Sequence, residues 1–129
     1  MTEVLRVENL RRVFHVKTPQ GTVEELVAVD DVSFSLAWSS SLAIVGESGS
    51  GKTTVARMIA GLESRTSGEV ILDGEPCRPR RKDRRRHATK VQMVFQDPYS
   101  SLDPHQTVAR AIGEVLRVHF SLGRSERRA

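Results

Sequence analysis

Ser41-Leu42-Ala43-Ile44-Val45-Gly46-Glu47-Ser48-Gly49-Ser50-Gly51-Lys52-Thr53-Thr54 is the stretch on which the reading of this 129-residue chain turns. It opens with a short unbroken apolar run, the pattern of a strand buried on both faces. Gly46 to Thr53 then follow the order Gly, four residues, Gly-Lys, Ser or Thr, which is a phosphate-binding P-loop. Beyond it, Val55, Met58, Ile59 and Leu62 recur at i, i+3, i+4 and i+7 and predict an amphipathic helix. Strand, glycine loop and helix in that order are the setting the motif requires.

The residue types suit a nucleoside triphosphate, read as ATP with Mg2+. Gly46, Gly49 and Gly51 free the backbone, so successive N–H groups of the loop, with Glu47, Ser48 and Ser50, can turn toward phosphate oxygens. The N-terminus of the following helix adds partial positive charge. Lys52 brings a point charge to the β- and γ-phosphates, Thr53 a hydroxyl for magnesium, and Thr54 a further donor.

Working outward, Val4 to Leu10 reads as a strand, Lys17 to Gly21 as a turn, and a second run reaches Val29. Val32, Phe34 and Leu36 alternate with polar residues and share one strand face. Ser67-Gly68 turns the chain into Glu69 to Leu72, and Asp73-Gly74 ends that strand with a hairpin signal. Val91 to Phe95 reads as a further strand, stopped at Asp97-Pro98. Val108, Ala111, Ile112, Val115 and Leu116 mark another amphipathic helix with Thr107 as its cap, and Ser125 to Ala129 reads as the opening of one more.

Net charge is +4, and eight Lys or Arg crowd residues 78–90 beside the single acid Asp83. That run is read as a solvated surface loop; without aromatic residues interleaved to stack on bases, it argues against nucleic acid. The lone Cys77 excludes an internal disulfide framework and makes a reducing compartment the default. The four histidines, His15, His87, His105 and His119, have no metal-ligand spacing. No signal peptide opens the chain and no apolar run approaches a membrane span.

Val91-Gln92-Met93-Val94-Phe95-Gln96-Asp97-Pro98-Tyr99-Ser100-Ser101-Leu102-Asp103-Pro104, taken with Gly46 to Thr54, resembles the ATP-binding subunits of ABC transporters. Within them it is similar to the oligopeptide, dipeptide and nickel importer branch, as are Ala28 to Leu36 and Ser67 to Val70. The resemblance implies an α/β fold of P-loop NTPase type, its N-terminal part. An antiparallel β subdomain would join an incomplete RecA-like core and the start of a helical subdomain. Residues 1–97 would hold the nucleotide-binding core and 98–129 the start of the helical subdomain.

By that resemblance the chain would be the ATP-binding subunit of an ABC importer of the peptide class, an ABC-type ATPase that couples ATP binding and hydrolysis to transport. Its partners would be transmembrane permease subunits and a second ATP-binding subunit, at the cytoplasmic face of the inner membrane. Lys52 and Gln96 would be catalytic, and Thr53 and Gln96 would face magnesium, Gln96 also the attacking water. Phe14 stands where family members carry an aromatic that stacks on adenine, with a plain core strand residue as the other reading. Tyr99 to Leu102 would touch the transmembrane subunit, or form a simple turn.

The family's signature motif, Walker B strand and switch histidine have no counterpart among these residues, so the chain reads as truncated before the signature. Ala37 to Ser41 also replaces the Gly-Glu turn usual before the P-loop strand. A catalytically inactive nucleotide-binding module is therefore the first alternative, and a nucleic-acid-directed P-loop ATPase the second.

Overall fold

A computed structural model describes residues 2–78, 81–97 and 103–120. The chain divides into two compact units, Met1–Val91 and Gln92–Ala129.

The first unit is built on a long hairpin of β1 (Glu3–Lys17) and β2 (Val23–Ala37). Its tip closes through Thr18, whose N–H donates to the Thr22 carbonyl at 2.8 Å, with Gly21 at φ 84° completing the turn. Helix α1 (Lys52–Ile59) follows, then β3 (Ser67–Leu72), β4 (Glu75–Pro76) and α2 (Arg81–Lys90). The antiparallel sheet has the order β2-β1-β3-β4, which places β1 in its interior. Asp73 and Gly74, both at positive φ, make the tight turn between β3 and β4 that the sequence announced.

Burial follows the alternation of the strands. Leu5, Val7 and Leu10 of β1, Val29 of β2, and Val70 and Leu72 of β3 form one core with Val55 and Met58 of α1. Val32, Phe34 and Leu36 pack against it from β2, as their period of two predicts. The alternation of β1 is interrupted between Val7 and Leu10 by a bulge. Asn9 there takes φ 46° and donates through Nδ2 to Asp31 Oδ1 at 2.7 Å; Asp31 has φ 48°. Asn and Asp tolerate this left-handed backbone better than other side chains do. The bulge lets Leu10 turn inward again, and its side chain is completely buried.

Helix α1 ends in a Schellman motif: Gly61 has φ 72°, and Leu62 N–H reaches back to the Arg57 carbonyl at 2.8 Å. Leu62, expected on the apolar face, therefore lies past the helix and is exposed.

Two segments differ from their sequence reading. Ser41 to Val45 is not a strand, and Val45 is 91% exposed. A strand exists only through a neighbour that takes up its backbone groups, and the sheet among the described residues offers this run none. Val91 to Phe95 likewise carries no strand.

The basic run, expected as a loop, is helix α2 over residues 81–90. Arg, Lys and Ala are favourable helix formers, and Asp83 in the first turn with Lys90 in the last complements the helix dipole. Arg86 pairs with Glu75 at 3.1 Å and Lys90 with Asp73 at 2.7 Å, which ties α2 to the β3–β4 hairpin. His87 Nε2 lies 2.6 Å from the Ile59 carbonyl at the end of α1.

In the second unit, α3 (Val108–Phe120) forms where the periodicity placed it. Thr107 Oγ1 accepts from Arg110 N–H at 3.3 Å, the expected cap. Tyr99 to Leu102 and Ser125 to Ala129 lie outside the described residues. No described helix is long and apolar enough to cross a membrane.

Candidate functional site: a glycine loop at the start of a helix

Residues 46–51 form an irregular exposed loop that enters α1 through Gly51, the N-cap residue, at φ 90° and ψ 0°. A side chain there would need the left-handed conformation, and it would also need room. The position of a Cβ on Gly51 lies 2.2 Å from the Ala28 carbonyl oxygen. The source of that close approach is in β2. Arg12 pairs with Val29 and Val13 with Val27, so the ladder passes over Ala28, and this bulged residue is the one whose carbonyl meets Gly51. The glycine loop is thus seated on the hairpin at one defined register position.

Lys52 closes the loop on itself. Its Nζ donates to the Gly46 carbonyl at 2.8 Å, to the Glu47 carbonyl, and to Ser50 Oγ at 3.3 Å. The ammonium is thereby held across the mouth of the loop. The first intrahelical bond runs from Val55 N–H to the Gly51 carbonyl at 2.9 Å, and no side chain caps the helix start. The N–H groups of Lys52, Thr53 and Thr54 precede that bond, so the helix itself does not use them. A row of amide donors, a lysine ammonium and the exposed Thr53 hydroxyl is a donor set for a polyphosphate and its cation.

Phe14 is on β1, half-buried, opposite Leu26. One face of its ring is covered by Arg12, whose guanidinium carbon stands 4.3 Å from the ring centroid. Arg12 also pairs with Glu63 at 2.8 Å. Glu63 is brought there by Thr66, which donates through N–H to the Arg11 carbonyl at 2.8 Å and accepts at Oγ1 from Val13 N–H at 2.9 Å. Sequence reasoning missed Arg12 and Glu63. The only available signal was the i, i+2 spacing of Arg12 and Phe14, since Glu63 comes from across the fold.

Gln96 lies in the second unit, exposed, in a stretch without regular structure. The structure therefore brings Gly46 to Thr54 together in one loop and helix start within the first unit, which also holds Phe14.

Two cavities among the described residues are lined by other parts of the first unit than the glycine loop. One of about 620 Å³ lies between the end of α1, the segment leading to β3, and α2. The other, of about 360 Å³, is lined by β4 and α2. The glycine loop is an open surface feature, suited to a ligand held by directed donors rather than by enclosure.

A P-loop sequence at a helix start, seated on an antiparallel sheet, defines a P-loop α/β domain. The chain belongs to the ABC transporter family, whose sequence profile matches residues 29–129. Over 122 residues it is 46% identical to the oligopeptide transport ATP-binding protein OppF of Bacillus subtilis, covering 92% of this chain and 38% of that protein. Over 132 residues it is 39% identical to the di/tripeptide transport ATP-binding protein DppF of Pseudomonas aeruginosa, covering 99% of this chain and 40% of that protein. The chain thus spans well under half the length of these relatives.

Solved structures share the fold. The ATP-binding cassette MJ0796, in a dimeric post-hydrolysis state bound to ADP and Pi, superposes with a TM-score of 0.70 at 23% identity, over 96% of this chain and 52% of that one. CbiO1 of Clostridium perfringens, part of the ABC transporter complex cbiONQ, gives 0.69 at 24% identity, over 99% of this chain and 47% of that one.

Proposed function

We propose that the chain supplies the ATP-binding site of an ABC importer of the peptide class, working at the cytoplasmic face of the membrane. Its partners in this reading are permease subunits and a second ATP-binding subunit. The observation that carries it is the loop of residues 46–54, whose amides, Lys52 and Thr53 converge at the start of α1. Peptide class rests on the names of the relatives, which are transport ATP-binding proteins for oligopeptides and for di- and tripeptides.

In this reading the loop amides and Lys52 hold the β- and γ-phosphates, Thr53 holds Mg2+, and Thr54 adds a donor. The cation supplies charge neutralisation between the phosphates. Binding requires Lys52 to exchange the carbonyls of Gly46 and Glu47 for phosphate oxygens, a swap of neutral acceptors for charged ones that favours the ligand. Phe14 offers a π-face to the adenine, and Gln96 enters as a cation or water ligand on its motif alone. Residues 1–97 act as the nucleotide-binding core and 98–129 as the start of a helical subdomain.

The test is thermal unfolding with and without Mg2+ and ATP. At ligand about 100-fold above Kd, binding adds about 2.7 kcal/mol of stability, and Lys52→Ala should abolish the shift. No shift in the parent chain, or an equal shift in Lys52→Ala, would sink the proposal.

A further inference from the structure

Arg12 and Phe14, two residues apart on β1, share a strand face, and the guanidinium carbon stands over the ring, 4.3 Å from its centroid. The Arg12–Glu63 pair, at 2.8 Å, has side chains only 19% and 26% exposed, less than any other ion pair among the described residues. Arg12 Nε is buried with no acceptor among the described residues. An unmet buried donor costs about 1–3 kcal/mol, which an arginine extended into solvent would avoid. The stack on Phe14 and the bond to Glu63 must together offset that cost.

The location gives the arrangement its meaning. Arg12 pairs with Val29, next to the bulged Ala28 that meets Gly51. Phe14 is two residues further along β1, roughly 7 Å of strand. The ring therefore sits close in register to the start of the phosphate-binding helix, and one of its faces is already taken.

We propose that Arg12 is a positioning residue for the nucleotide base. It covers one face of Phe14 and is itself tethered by Glu63, so the ring is fixed and offers only its other face. The guanidinium also draws on the ring's π charge, which lessens repulsion with the electron-rich face of a stacked purine. This inference rests on the ATP-binding reading and on Phe14 as its base platform.

The experiment compares Kd for ATP and for inorganic tripolyphosphate, which has no base, in the 129-residue chain and in Phe14→Ala, Arg12→Ala, Arg12→Lys and Glu63→Gln. Arg12→Ala should weaken ATP by about 3- to 10-fold and leave tripolyphosphate unchanged. Arg12→Lys should recover part of the loss, and Glu63→Gln, which keeps the stack but frees the tether, should fall between. If Arg12→Ala unfolds, Glu63→Gln carries the comparison. Equal loss for both ligands, or no loss in Arg12→Ala and Glu63→Gln while Phe14→Ala weakens ATP alone, overturns the role of Arg12. If Phe14→Ala also spares the ratio, the base platform falls and Arg12 with it. Failure of the parent chain to bind either ligand removes the ATP-binding reading itself.

Discussion

The Ala28 carbonyl oxygen stands 2.2 Å from the point a Cβ on Gly51 would occupy, so a bulge in β2 and the entry to α1 interlock through backbone alone. Gly51→Ala must therefore shift one of the two elements as well as hold alanine at φ 90°. The left-handed backbone costs about 1–2 kcal/mol, and the displaced contact raises the expected loss to about 2–4 kcal/mol in urea unfolding. Gly49→Ala is the control: φ is 80° but nothing lies within 4 Å of its Cβ. It should lose only the strain component. Equal losses at the two positions would remove the interlock.

Gly68 faces a similar obstacle in the sheet. Its Cβ would meet the Asn9 carbonyl oxygen at 2.3 Å, against the bulge of β1. Gly68→Ala should cost more than Gly74→Ala, whose Cβ has open space at a comparable φ. The expected gap is about 1–3 kcal/mol by chemical denaturation.

Leu10 is completely buried at the junction of β1 with both neighbours. Leu10→Ala should lower stability by about 2–5 kcal/mol. Val16→Ala, near the exposed end of the hairpin, should lie within about 0.5 kcal/mol of the parent chain.

Thr53→Ala leaves the loop amides and Lys52 in place and removes the hydroxyl assigned to the cation. Titrations of ATP with magnesium and with a chelator should then differ less than in the parent chain. A loss of about tenfold, or 1.4 kcal/mol, confined to the magnesium arm is expected. An equal loss in both arms would contradict the assignment.

Burial pushes the Cys77 thiol above its ordinary value near 9.0, with Arg65 and Lys90 pulling weakly against it. The folded chain thus holds this proton more tightly than the unfolded one. The stability linked to it is intact below the unfolded value and is lost as pH rises through the raised folded value. As pH rises above about 9, the stability of the parent chain should fall more steeply than that of Cys77→Ala. Alkylation by iodoacetamide at neutral pH should be slow, because the thiolate is the reactive form.

Where a local pattern carries its own physics, it was legible in one dimension. The P-loop, the helical period from Val55 to Ile59, the strand period from Val32 to Leu36, the Asp73-Gly74 turn and the Thr107 cap each depend on neighbours within a few residues. The arginine-rich run forms a helix where its charge alone suggests a loop, because its residues carry favourable helix propensity. The anchors that steady its helix, Glu75, Asp73 and the Ile59 carbonyl, also come from elsewhere in the chain.

The sequence by itself determined that a glycine loop with Lys52 and Thr53 opens a helix, because the spacing of those residues is a local requirement of phosphate binding. Only the tertiary structure decided that Ser41 to Val45 is not a strand, since strand formation depends on a partner whose presence no local pattern reports. It also decided that Ala28 meets Gly51, and that Arg12, paired with Glu63, lies over the ring of Phe14. Those relationships arise from register across a bulged hairpin and from a return of the chain after α1. Both are long-range choices set by burying one shared core.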